Sequence, residues 1–204
     1  MSCIYCNHYI LYKLQNGYYK CAKCKRKFSP KKIDRKAKIL HSFLLERSPA
    51  EIANKYNFAY ASVVKEIAHI RKVMVRICEE EFLKKNEIIE FNEYLYIPKT
   101  NKKDSKSIYK AHNFLTIAYD EKIYNILLSD MKVYENLSPQ EIKKLLRQSH
   151  IIKIKQNINI PLFWEYFENF IVKFKGIKDK NFFLYLKEAE FRFNNFKIEV
   201  KDIV

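Results

Sequence analysis

Apolar and polar positions repeat at two different periods along this chain, and the change falls near residue 87. Before it the spacing is helical. From Lys36 to Arg47 the residues Ala37, Leu40, Phe43, Leu44 and Leu45 line one side, which predicts a first helix. "SPAE" at 48–51 then reads as a start signal, with Ser48 as N-cap, Pro49 at the first helical position and Glu51 closing a capping box. The short helix it opens should end near Tyr56, "NFAY" should turn, and a long helix should run from about Ala61 to Lys84. A short helix, a tight turn and a second helix make a helix-turn-helix. In the long helix Val63, Ile67, Ile70, Met74 and Ile77 keep one apolar stripe, while Lys65, His69, Lys72 and Arg76 follow two residues behind on the opposite side. That basic face suits contact with a polyanion. Tyr60, Ser62 and Lys65, at the start of the helix, are the expected base readers.

After Glu87 the period shortens. Strands are expected over 87–97, 113–119 and 122–128, separated by the basic loop "PKTNKKDSKSIYKAH" and a tight turn at Asp120-Glu121. "SPQE" at 138–141 repeats the helix start and opens a helix to about Gln148; "HIIKIK" reads as a fourth strand. Two aromatic helices follow, near 161–174 and 179–196. The fold class is α+β. Three strands, a helix, a strand and helices is the order of a ribonuclease-H-like fold, an order that unrelated α+β domains share.

Ahead of the helices stand four cysteines, "CIYC" at 3–6 and "CAKC" at 21–24. Paired C-x2-C knuckles bring Cys3, Cys6, Cys21 and Cys24 to one tetrahedral site, suited to Zn2+ or, less often in such a setting, iron. Between the knuckles an Asn16-Gly17 turn flanked by apolar-rich runs predicts a hairpin, with a third short strand at Arg26–Phe28. This is the layout of a zinc ribbon, a segment too small to fold on an apolar core of its own. His8 reads as a surface residue or one just behind the ligands, and Cys78 as a small buried hydrophobe. Lys23, Lys25, Arg26 and Lys27 crowd the second knuckle, where they could face phosphates.

Composition sharpens this. A chain of 204 residues that is 48% hydrophobic can bury a sizeable core, which excludes wholesale disorder. Two glycines leave no room for a Gly-rich phosphate loop. No apolar run approaches the roughly 20 residues that span a bilayer, and "MSCIYCNHY" is unlike a secretory signal, so a cytoplasmic, nucleoid-associated protein without membrane contact is expected. The net charge is +16, and it is uneven: residues 1–80 hold 17 Lys+Arg against 6 Asp+Glu. Such asymmetry points to double-stranded DNA as partner.

"FKGIKDKNFFLYLKEAEFRFNNF" at 174–196 resembles the end of insertion-sequence transposases of the ISXO-like group, which close on Glu-Phe-x-Phe-Arg-Phe-Asn after Phe-x-Gly-Ile. "FW" at 163–164 is similar to their tryptophan-bearing helix, and they too begin with a cysteine ribbon and a helix-turn-helix. The resemblance touches nearly the whole chain and implies a ribonuclease-H-like domain. Its members hold two divalent metals, such as Mg2+, on two aspartates and a third acid or amide, for in-line attack on phosphate. Asn92, followed by Glu93, stands where the first aspartate is expected. No acid lies between Glu141 and Glu165 to serve as the second, and Pro161 or a near neighbour occupies the third position. Two metals about 4 Å apart need several carboxylates; Glu93, Asp120, Asp130, Glu165 and Glu168 are the substitutes on offer.

The expected organisation is a zinc ribbon over 1–30, a helix-turn-helix region over 31–86 and a degenerate ribonuclease-H-like domain over 87–204. Three functions follow. The first is a catalytically inactive, transposase-like DNA-binding protein, its last domain serving folding, partner contact or a homo-oligomer. The second is an active transposase with relocated acids, and the third a regulator of transcription built from the same parts.

Overall fold

The structure, a computed structural model, describes residues 1–97, 109, 111–128, 136–138, 140–141 and 159–204. The described chain is mixed α and β, with six helices and two small antiparallel sheets. It divides into two compact units, Met1–Met74 with Lys197–Val204, and Val75–Phe196.

The first unit opens with a three-stranded sheet of β1 (Leu11–Lys13), β2 (Tyr19–Cys21) and β3 (Lys27–Phe28), in that order. The hairpin turns at Asn16-Gly17 as expected. Gly17 adopts φ +74°, a left-handed backbone that glycine takes without strain, and the Asn16 side chain accepts from Tyr18 N–H at 3.3 Å.

Helix α1 (Pro30–Leu44) begins six residues earlier than the predicted Lys36. Its first turn, Lys31 to Asp34, is mostly polar, so the apolar period that marks the rest of the helix is missing there. Pro30 in the first turn supplies the start instead. Leu45, predicted on the apolar side, lies beyond the helix and is 57% exposed, whereas Ile39 is buried with Leu40 and Phe43. α2 (Pro49–Tyr56) has the expected cap: Glu51 N–H donates to Ser48 Oγ at 3.3 Å, and Ser48 N–H to Glu51 Oε2 at 2.7 Å. Asn57, at φ +51°, ends it. α3 (Tyr60–Leu83) follows, with Val63, Ile67, Ile70 and Met74 buried. α2, the turn and α3 follow one another in the order expected of a helix-turn-helix. The segment 197–204 returns to this unit, where the short α-helix Val200–Ile203 packs on α1.

In the second unit β4 (Ile88–Tyr96), β5 (His112–Tyr119) and β6 (Lys122–Leu127) pair antiparallel in that order. β5 and β6 are joined by two residues, Asp120 and Glu121, both at positive φ (39° and 67°). This is the turn whose twist matches a hairpin. α4 (Asn159–Ile171) and α5 (Asp179–Phe193) pack on the face that carries Phe114, Ala118 and Ile123. The core they share is aromatic. Phe167 meets Phe114 and Phe182 edge-on, at 5.7 and 5.9 Å, the arrangement that ring quadrupoles favour. The helix Val200–Ile203, α6, is the last of the described residues' helices.

The outer edge of β6 is closed by the tail motif. The Asn194 amide accepts from Ile123 N–H at 2.8 Å and donates to Ile123 C=O at 2.7 Å. Glu190 Oε2 accepts from Asn125 N–H at 2.8 Å and Asn125 Nδ2 at 2.9 Å. Residues of α5 and its end thus pair the backbone of Ile123 and Asn125 on β6.

Ser138 and Glu141 make the same reciprocal cap as Ser48 and Glu51. The rest of that predicted helix, the strand "HIIKIK", Asp130 and most of the basic loop after Ile97 lie outside the described residues. Among the described residues no helix is long and apolar enough to cross a membrane.

Candidate functional site

Each cysteine knuckle is shaped by its own backbone, and the two are built alike. In the first, Asn7 N–H donates to Cys3 C=O at 2.8 Å and Cys3 N–H to His8 C=O at 2.9 Å. In the second, Lys25 N–H donates to Cys21 C=O at 3.1 Å and Cys21 N–H to Arg26 C=O at 3.0 Å. The residue after each second cysteine, Asn7 or Lys25, takes a left-handed φ of 55° or 61°. His8 therefore acts through its carbonyl, which holds the first knuckle closed.

The four sulfurs lie within 4.8 Å of one another, with Cys3–Cys24 and Cys6–Cys21 at 3.6 Å. A tetrahedron with Zn–S bonds of about 2.3 Å has edges of about 3.8 Å. The donor set fits Zn2+, and all four cysteines are free of disulfides. Their acidities are split. Burial opposes ionisation of Cys21, yet the Cys24 and Lys23 amides and the neighbouring thiols outweigh it and bring the thiol down to about 6. At Cys24 an Arg26 backbone bond favours the thiolate, but burial and the other three sulfurs push it up to about 11. Four crowded thiols cannot all ionise alone; a dication removes that conflict, which is how such a site couples metal uptake to proton release.

The cations predicted to meet DNA fall into three places. Lys25, Arg26 and Lys27 are exposed at the ribbon, with the Arg26 guanidinium 5.0 Å from the Tyr5 ring centroid. Tyr60 is 59% exposed at the head of α3. Ser62, Lys65, His69 and Lys72 form one wall of an open groove of about 610 Å3, whose other wall is Lys32, Arg35 and Lys36 of α1. Arg76, predicted on the same face, belongs to the second unit and pairs with Glu80 at 3.5 Å. Among the described residues that line the groove Glu66 is the one acid, 3.3 Å from Lys36 Nζ. Lys36 Nζ and His69 Nε2 lie 2.5 and 3.2 Å from the carbonyl oxygen of Ile203. Sequence reading missed the α1 wall. Lys32, Arg35 and Lys36 recur at helical spacing, but the helix was expected to begin only at the last of them.

The β4 strand carries Asn92 and Glu93 on opposite faces. Asn92 stands directly across from Thr116, and Thr116 from Asn125. Thr116 Oγ1 donates to Asn125 Oδ1 at 2.8 Å and accepts from Trp164 Nε1 at 2.9 Å. Glu93 accepts from Asn113 Nδ2 at 2.5 Å. Asp120 accepts from the Asn86 and Glu87 amides at 2.8 and 3.2 Å, Glu168 accepts from the Tyr94 hydroxyl, and Glu165 is exposed. The structure does not gather these carboxylates. Among the described residues the cysteines are the one group of three or more His, Cys, Asp or Glu side chains whose ligand atoms converge. Cys78 is buried as expected, and burial followed by the Glu190 charge pushes its thiol far up, away from nucleophilic use.

No family model matches the chain, and no curated protein or solved structure is similar to it.

Proposed function

We propose that the chain is a DNA-binding protein of the insertion-sequence transposase type that has lost strand-cleaving chemistry. The observation that carries the reading is the capped helix-turn-helix whose α3 exposes Lys65, His69 and Lys72, in the same unit as the four-cysteine ribbon. Zn2+ on the cysteines holds the ribbon, and cations of the ribbon and α3 neutralise phosphates. The second unit is read as a degenerate ribonuclease-H-like domain. Its three antiparallel strands, backed by aromatic helices, suit that reading, and Asn92 takes the place of a metal-binding aspartate. The segment 174–196, on which the resemblance to the ISXO-like group rests, is used here to close the β6 edge through Glu190 and Asn194. Such a structural use explains how the motif can outlast catalysis.

The test is duplex binding at graded salt, with Mg2+ or Mn2+ present and products scored for nicks. Wild type is expected to bind with a steep loss of affinity as salt rises and to cut nothing. Reversing the charge of Lys65, Lys72 and Arg76 together should weaken binding on every sequence. Equal binding by that triple variant, or metal-dependent nicking by wild type, overturns the reading. Asn92→Asp should also leave DNA uncut, because two cations cannot be held by one restored carboxylate.

A further inference from the structure

We infer that the groove between α1 and α3 is a phosphodiester-binding site in which Arg35 of α1, not α3 alone, grips the strand. Among the described residues the groove sets five permanent cations against a single carboxylate, Glu66. At about 610 Å3 it matches ligand clefts in size, roughly 300–1,000 Å3, and the charged ends of its lining side chains are mostly cationic. Like charges held this close repel one another until an anion enters. The Lys36 ammonium is already engaged, by Glu66 and by the Ile203 carbonyl. Lys32, Lys65 and Lys72 are exposed.

Arg35 is the informative residue. Its guanidinium lies 5.0 Å from the Phe58 ring centroid, within reach of a cation–π contact. Its Nε is buried and, among the described residues, has no hydrogen-bond partner. A buried N–H without an acceptor is costly, and a fixed guanidinium fork matches two oxygens of one phosphate. Lys32 and Lys65, from opposite walls, then serve as point charges for that phosphate and its neighbours. The identity of the polymer rests on the DNA reading above; the phosphate chemistry rests on the groove alone.

The test needs the native chain first. In a nitrogen–proton correlation spectrum the Arg35 Nε–H signal is followed while a short DNA duplex, and separately inorganic phosphate, is added. It should shift and exchange more slowly with solvent as the duplex saturates. Arg35→Lys keeps the charge and loses the fork, and should still weaken duplex binding. Lys32→Ala should reduce the slope of log affinity against log salt by about 0.9, the release expected for one phosphate contact. An unmoved Arg35 signal in a saturated complex overturns the inference and leaves the α3 reading standing. Movement with inorganic phosphate when no duplex binds upholds the groove as a phosphate site and sinks the DNA reading.

Discussion

In the first unit the lysines at 32, 65 and 72 stand exposed around a groove, whereas in the second Lys187 is shut entirely inside the fold. Lys187 Nζ lies 3.1 and 3.0 Å from the two Glu190 oxygens and 3.5 Å from the centroid of the Tyr124 ring, on which Phe82 stacks at 4.0 Å. Exposed like charges do little for a fold and are free to meet a partner. A buried ion pair meets nothing outside and has to satisfy itself; Glu190 does so by also accepting both Asn125 donors. The contrast extends to what holds each unit. Residues 1–28 have only a small core of Cys3, Cys21 and Phe28 beside a cysteine cluster that fits Zn2+, while the second unit is packed around its aromatic cluster. Charge placement thus separates a unit that keeps lysines at its surface from one that buries a paired lysine.

The largest expected effect is at the ribbon. Structural zinc supplies on the order of 10–16 kcal/mol in comparable sites, far more than so small a core can replace. Cys21→Ser, or stripping metal with a chelator, should unfold the ribbon, seen as loss of amide dispersion for residues 1–28. Trp164, the single tryptophan, lies in the second unit, so its emission should stay unchanged. A ribbon that keeps its amide pattern with no metal bound breaks the comparison on one side.

On the other side, Glu190→Ala leaves the Lys187 ammonium and the Asn125 donors unpaired. Removing one partner of a buried pair costs about 3–5 kcal/mol. Denaturant unfolding followed by Trp164 emission should read a loss of that size. Lys187→Met with Glu190→Leu should recover part of it, short of wild type by roughly 1–3 kcal/mol for the abandoned Asn125 donors. A Glu190→Ala protein as stable as wild type would mean the pair is not closed from solvent.

Much of this was legible in the sequence, and the reasons are local. The "SPAE" cap, the Asn16-Gly17 and Asp120-Glu121 turns and the cysteine spacing are settled by neighbours a few residues apart. Periodicity found α3 and all three strands of the larger sheet. It failed for the first turn of α1, where Lys31 and Lys32 leave no apolar repeat, and for Leu45, which lies past the helix end. Contacts between distant segments had no local signal. Nothing in "KIEVKDIV" announces that it returns to α1, or that the Ile203 carbonyl meets Lys36 and His69. The acid positions named as substitutes were plausible one at a time. Only the fold reveals that Asp120 and Glu93 have structural partners of their own.

The smallest effect opposes two carboxylates by pH. Glu51, exposed at the α2 cap, is held below the usual carboxylate range chiefly by its bonds with the Ser48 side chain and amide. A depressed native pKa stabilises above the unfolded value, about 4.3 for glutamate, and that share is lost as pH falls through the native one. Glu190 goes the other way. Burial raises it, against the pull of Lys187 and Asn125, so the native protein takes up that proton more readily than the unfolded chain does. Its contribution is fully present below about pH 4.3 and fades as pH rises through the native value. Ser48→Ala should cost about 1 kcal/mol near neutrality, read as helical circular dichroism of the first unit, and less in acid, where the cap is already protonated. The second unit, read by Trp164 emission, should instead lose stability as pH climbs from the carboxylate range, and Glu190→Ala should flatten that slope. Parallel pH profiles for the two readouts would mean that the exposed and the buried glutamate feel the same surroundings, and the comparison between the units would fail.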